Sequence, residues 1–128
     1  MRILVLDDND DQREIIGRIL ERYGYSVHMA ARADDAILLG RDGFLPDLLI
    51  ADIGLSGALD GYDVALYWRS KMPRLPVVYL SARAEVDLAR RMPGSIYLKK
   101  PARSDVLIDA IERLTGDSEL SRRAPRGQ

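Results

Sequence analysis

The sequence predicts an α/β domain built on a parallel sheet. Two observations predict it: five short apolar runs that are mostly continuous, and amphipathic stretches of helical period that follow each of them. A continuous run suits a strand covered on both faces, and helices alternating with such strands supply the two covers.

The elements follow in chain order. The first strand is Ile3–Leu6, ending at two acids. Ile15, Ile16, Ile19, Leu20 and Tyr23 then form the stripe of a first helix, stopped by Gly24. Tyr25–Met29 is the second strand, and Ala33, Ala36, Ile37 and Gly40 mark a second helix whose small residues permit close packing. Leu48–Ala51 is the third strand. Val64, Ala65, Trp68 and Met72 mark a third helix, stopped by Pro73. Val77–Leu80 is the fourth strand, and Glu85–Met92 reads as a short fourth helix closed by Pro93-Gly94. After the fifth strand, Ile96–Leu98, a fifth helix carries Leu107, Ala110, Ile111 and Leu114, with Ser104 as N-cap and Gly116 past its end. Residues 1–116 are expected to form one domain, and 117–128, polar and without apolar period, a disordered tail.

Composition narrows the function classes. The chain has 128 residues, 47% apolar and 30% charged, the balance of one globular domain with a core. A net charge of −1 lacks the basic excess of a dedicated nucleic-acid binder. Zero cysteines exclude a disulfide framework, a thiolate metal site and a cysteine nucleophile, and a single histidine excludes a multi-histidine centre. No apolar run approaches the ~18 residues of a membrane span, and the first run meets acids too early for a signal peptide. A cytoplasmic domain with no membrane partner is expected.

In a parallel sheet, ligands bind beyond the carboxyl ends of the strands, near the point where strand order reverses. The residues directly after the runs are Asp7 and Asp8, Asp52, Ser81, and Lys99 and Lys100. Three clustered carboxylates repel one another unless a cation sits among them, and an all-oxygen set suits Mg²⁺. A lysine and a hydroxyl opposite such an ion serve the oxygens of a transferring phosphoryl group. The set reads as a phosphoryl-transfer site with a carboxylate nucleophile.

Each part also has a plainer reading. Asp7, Asn9 and Asp11 have the opening spacing of a calcium loop, but Gln12 stands where glycine is needed and Arg18 where glutamate is needed. Asp11 and Glu14 suggest a capping box for the first helix. His28 reads as structural, Trp68 as core, and Lys99 as solvated. Arg83, Arg90 and Arg91 read as a solvated face, or else as a contact for an acidic partner. Tyr97 also has the plain reading of a half-buried strand residue.

Leu6-Asp7-Asp8, Leu49-Ile50-Ala51-Asp52, Asp60-Gly61-Tyr62-Asp63, Leu80-Ser81-Ala82 and Tyr97-Leu98-Lys99-Lys100-Pro101 together resemble the response-regulator receiver domain of two-component signalling. The resemblance runs from about Met1 to Thr115. It implies a flavodoxin-like, doubly wound sheet of strand order 2-1-3-4-5 with five helices. It implies Asp52 as phospho-acceptor, and Asp7, Asp8, Asp52 and the backbone carbonyl of Gly54 as Mg²⁺ ligands. It further implies Lys100 as phosphate-pairing lysine, Ser81 as switch hydroxyl and Tyr97 as switch aromatic. A sensor histidine kinase or a histidine phosphotransfer protein would be the phosphoryl donor, and a further protein the target. The only catalysis implied is of the domain's own phosphorylation and dephosphorylation. With no output domain visible after Thr115, a stand-alone regulator of the chemotaxis kind is expected. The residues that influence hydrolysis in the family are here Gly54 and Arg83, neither of which can act as a base toward water, so a long-lived phosphorylated state is expected.

The sequence departs from the family pattern twice: no proline follows Asp52 in Ile53-Gly54-Leu55-Ser56-Gly57-Ala58-Leu59, and the span from Ser81 to Lys100 is short. Two other function classes carry the same residue types. An aspartyl phosphatase of the haloacid dehalogenase type wants Asp-x-Asp-Gly-Thr after its first strand, and Asp7-Asp8-Asn9-Asp10-Asp11 lacks the Gly-Thr. A phosphorylation-inert, receiver-like binding module would not need all five active positions filled.

Overall fold

The computed structural model describes residues 1–82, 87 and 89–116. Five parallel strands form one sheet: β1 (Arg2–Leu6), β2 (Ser26–Ala30), β3 (Leu48–Asp52), β4 (Val77–Ser81) and β5 (Ser95–Lys99), in spatial order β2-β1-β3-β4-β5. The helices are α1 (Asp10–Arg22), α2 (Ala33–Arg41), α3 (Gly61–Lys71) and α4 (Ser104–Thr115). The predicted fold class and strand order hold.

Alternate side chains of each strand enter two separate cores. Leu4, Leu6, Leu49, Ala51, Val77 and Tyr79 pack with Ala33 and Ala36 of α2 and Val64, Ala65 and Trp68 of α3. Ile3, Val5, Leu48, Ile50, Val78 and Leu80 pack with Ile16 and Leu20 of α1 and Leu107, Ile108 and Ile111 of α4. Both faces of β1, β3 and β4 are therefore covered, which is why their runs are continuous. The small stripe of α2 has the role its composition suggested: a Cβ on Gly40 would lie 2.8 Å from the Tyr67 hydroxyl and 3.1 Å from the Trp68 ring, so glycine lets α2 approach α3.

Two local expectations change. Asn9, not Asp11, caps α1, its side chain accepting from the Gln12 N–H at 2.9 Å. Asp10 and Asp11 fall inside the first turn, where their charge still favours the helix N-terminus. Ser104 is the first helical residue of α4, and Arg103 occupies the cap position without a side-chain capping bond. Gly116 ends α4 in the left-handed conformation, φ 72°, as placed from sequence.

The largest difference is the fourth helix. The described residues number four helices, and of Glu85–Met92 the described ones, Asp87 and Ala89–Met92, are turn and irregular chain. Asp87 makes a turn there, its carboxylate accepting from Ala89 N–H at 3.1 Å and its carbonyl from Arg90 N–H at 3.1 Å. Eight residues closed by Pro93-Gly94 give few helical hydrogen bonds against a costly nucleus, and the arginines bind elsewhere. Arg83 and the tail 117–128 lie outside the described residues.

Candidate functional site

The carboxyl ends of β1 and β3 lie side by side, with Leu6 in register with Ala51. Strand order reverses about β1, which has β2 on one side and β3 on the other. Asp7 therefore leaves the sheet beside Asp52, the last residue of β3. Asp7 is fully buried and Asp52 is 4% exposed, an unusual setting for two carboxylates.

Local chain geometry holds each acid. Asp7 Oδ1 accepts from Asn9 N–H at 2.9 Å, and Asp52 Oδ1 from Gly54 N–H at 3.0 Å. Exposed Asp8 is tied to the loop after β3, its Oδ2 accepting from Ser56 N–H at 3.2 Å. One carboxylate oxygen from each of Asp7, Asp8 and Asp52 lies within 4.8 Å of the others. Gly61 opens α3 directly against this loop, since a Cβ there would lie 2.3 Å from the Asp52 carbonyl oxygen. Asp60 and Asp63 close a capping box around that first turn, at 3.0 and 2.9 Å.

Lys100 arrives from the end of β5, fixed by its N–H donating to the Ser81 carbonyl at 2.8 Å. Its Nζ donates to Asp7 Oδ2 at 3.1 Å and pairs with Asp52 Oδ2 at 3.0 Å, with the side chain 12% exposed. Burial pushes the Asp52 carboxyl above its ordinary value, and neighbouring Asp7 adds to this, while Lys100 and the Gly54 N–H act in the opposite sense. Ionised Asp52 is thus a constrained, poorly solvated carboxylate with one cation beside it. The donor set is all carboxylate oxygen, carries three negative charges against one lysine, and fits a hard divalent cation.

Sequence reasoning thus placed Asp7, Asp8, Asp52 and Lys100 in one cluster, and the structure brings them together. Ser81, 6% exposed, ends the neighbouring strand β4. Gly54 meets the site through its N–H on Asp52. Lys99 is exposed, as expected. His28 packs at a tilt against Phe44 with ring centroids 4.3 Å apart, and Trp68 is fully buried, so both belong to the packing of the fold. Tyr97 is half-buried on β5, stacked on Tyr79 of β4 at 4.9 Å.

Arg90 and Arg91 are exposed, as the solvated-face reading expects, and also make specific contacts within the fold. Arg90 binds Asp60 at 2.7 Å and Asp63 at 2.8 Å, and lies over the Tyr62 ring at 4.8 Å. Burial acts to raise Asp60's pKa, but Arg90 and the Asp63 N–H outweigh it and hold the carboxyl below its ordinary value. Arg91 donates to the Ser95 carbonyl at 3.1 Å and lies over Tyr97 at 5.5 Å. The Arg90 contacts bring together residues far apart in the chain, and the motif Asp60-Gly61-Tyr62-Asp63 is the sequence signal near them.

Known proteins resemble this chain over nearly its whole length. The family described as "Response regulator receiver domain" matches residues 3–112. Response regulator MprA of Mycobacterium leprae is 36% identical over 120 residues, 89% of this chain and 50% of that protein. The nitrogen assimilation regulatory protein NtrX of Azorhizobium caulinodans is 31% identical over 126 residues, 94% of this chain and 27% of that protein. The chain thus spans a quarter to a half of these curated relatives. Among solved structures, a response regulator receiver protein from Sinorhizobium medicae superposes with a TM-score of 0.86 at 31% identity, covering 91% of this chain and 94% of that one.

Proposed function

The chain belongs to the response-regulator receiver domain family, and from that premise we propose that Asp52 accepts a phosphoryl group and that the modification switches the protein's contacts. The observation that carries the reading is the Lys100 ammonium, 3.1 Å from Asp7 and 3.0 Å from Asp52, at the mouth of a three-carboxylate cluster.

Asp52 is assigned as the nucleophile because it ends the central strand β3 with one oxygen held by the Gly54 N–H and the other beside Lys100. Its Oδ2 attacks phosphorus; the bond from phosphorus to the donor's leaving atom breaks, and the electron pair departs with the donor. With a kinase or phosphotransfer protein as donor, that bond is nitrogen to phosphorus, and the departing imidazole takes up a proton. Gly54 N–H holds Asp52 Oδ1 in place, leaving Oδ2, on the Lys100 side, as the attacking atom. Lys100, still protonated, then donates to the new phosphoryl oxygens in place of the carboxylate. Asp7, Asp8 and Asp52, with the carbonyl of Gly54, would hold Mg²⁺, which supplies charge neutralisation for the phosphoryl oxygens when bound. Ser81 would donate to the phosphoryl group and Tyr97 would report the change to the surface of β5, a two-state element biased by new charge-assisted bonds. The product is a modified protein and not a released compound, so the domain acts on itself alone. Its donor would be a sensor histidine kinase or a histidine phosphotransfer protein, and its readout a protein target in the cytoplasm.

Incubation with acetyl phosphate and Mg²⁺, followed by intact mass measurement, tests the reading. One lasting phosphoryl adduct is the expected result. Continuous turnover of donor without an adduct would mark a phosphatase instead, and an unmodified chain with unconsumed donor would mark an inert module.

A further inference from the structure

Tyr62 is the second residue of α3 and is 5% exposed. Its hydroxyl lies 2.8 Å from the Tyr97 hydroxyl and accepts from Asp87 N–H at 3.0 Å, while the Tyr97 hydroxyl also reaches the Asp87 carbonyl at 3.3 Å. A hydroxyl donates once and accepts twice, so one proton arrangement serves all three contacts. Asp87 N–H donates to Tyr62, Tyr62 donates to Tyr97, and Tyr97 donates to the Asp87 carbonyl. The ring closes on itself and ties α3, β5 and the chain after β4 at one point.

Tyr62 is itself held from two sides. Its ring packs on Tyr79, 5.1 Å between centroids, and carries the Arg90 guanidinium on its face, where Arg90 is anchored by Asp60 and Asp63. It also follows Gly61, whose backbone touches that of Asp52 and Ile53. A shift of the loop after Asp52 therefore reaches the Tyr62 hydroxyl through one rigid helix turn. Stacking on Tyr79 alone fixes the plane of Tyr97 but leaves its hydroxyl without direction. The two contacts at its hydroxyl hold the ring in the half-buried position it has here, which is called inward.

We propose that Tyr62 is a positioning residue for Tyr97, its hydroxyl holding the Tyr97 ring inward and coupling that ring to the loop after Asp52. The proposal rests on the reading of Tyr97 as the switch aromatic and adds the residue through which this chain sets it. Removing one hydrogen bond of about 1 kcal/mol changes the inward-to-outward ratio about fivefold.

The test uses the full chain labelled with fluorotyrosine, with the Tyr97 fluorine resonance assigned by its loss in Tyr97→Phe, and beryllofluoride with Mg²⁺ as the phosphoryl probe. Tyr62→Phe keeps the ring and removes only the hydroxyl, and unchanged Trp68 fluorescence verifies the fold. The expected result is a Tyr97 resonance moved toward that of an exposed tyrosine, and beryllofluoride affinity weakened about fivefold. Tyr97→Phe, which cuts the same contact from the other side, should weaken affinity similarly, and the double variant should add nothing further. If beryllofluoride moves the Tyr97 resonance in the native chain but Tyr62→Phe leaves both resonance and affinity unchanged, the proposal is overturned and the switch reading stands. If beryllofluoride leaves the native Tyr97 resonance unmoved, the switch reading falls, and the positioning role with it.

Discussion

Replacing Lys100 by methionine removes the only side-chain cation paired with Asp7 and Asp52 among the described residues while keeping most of its volume. Asp7 is fully buried and Asp52 is 4% exposed, so water replaces little of what the ammonium provides. Breaking a buried ion pair by deleting one partner costs about 3–5 kcal/mol. The Lys100 side chain is 12% exposed and the methionine stem keeps its apolar contacts, so the lower end applies, about 3 kcal/mol at pH 7. For a domain of this size that lowers Tm by roughly 10 °C. The pH dependence has a definite sign. Asp52 already has a folded pKa above its ordinary 3.8, so its ionisation weakens the fold. Without Lys100 the folded value rises further, and stability falls as pH increases from 3.8 through that raised value. Thermal unfolding in chelator across that range should show the variant's deficit shrinking as the solution is acidified. At fixed neutral pH, Mg²⁺ should also restore stability, by about 1.4 kcal/mol per tenfold increase above its dissociation constant. A deficit that neither acid nor Mg²⁺ relieves would mean that Lys100 stabilises by packing, and the electrostatic account of the cluster would be wrong.

Three further outcomes follow from the same geometry. Asp52→Asn removes a charge that burial and Asp7 both oppose, so it should abolish phosphorylation by small donors yet stabilise the metal-free fold by on the order of 1 kcal/mol, read as a higher Tm in chelator; a lower Tm would contradict the direction of the Asp52 shift. Gly61→Ala places a methyl 2.3 Å from the Asp52 carbonyl oxygen, where only backbone can yield, so it should cost about 2 kcal/mol and slow phosphorylation; native denaturant midpoints and rates would show that α3 does not seat against the loop. Gly54 carries no group that can align water, so Gly54→Asn should shorten the lifetime of the phosphorylated state once donor is removed; a native chain that decays faster than this variant would refute that argument.

What the sequence made legible, and what it hid, divides along physical lines. The strands were visible because burial on both faces makes them continuous runs, and the acids and lysine of the site were visible because they stand at the ends of those runs. Asp7, Asp8, Asp52 and Lys100 needed only a parallel sheet to converge. Helix caps were harder: five polar residues from Asp7 to Asp11 compete for one N-cap, and only the backbone path selects Asn9. Ser104 has the chemistry of a cap yet starts the helix instead. Glu85–Met92 reads as a short helix from its closing Pro93-Gly94, whereas its described residues, Asp87 and Ala89–Met92, are turn and irregular chain, with Arg90 and Arg91 finding partners on α3 and β5. Arg90 lies 30 positions from Asp60 in the chain, and Tyr62 lies 35 from Tyr97. No local pattern encodes such pairings, so Tyr62 could be read only from the assembled fold.

The central claim is that the phosphoryl group resides on Asp52. Reducing the phosphorylated chain with borohydride converts an aspartyl phosphate to homoserine, and peptide mass mapping then locates it. The account predicts homoserine at position 52 alone, dependent on Mg²⁺ during phosphorylation. Homoserine at position 7 or 8, or a phosphoryl group that survives borohydride on a hydroxyl side chain, would contradict it.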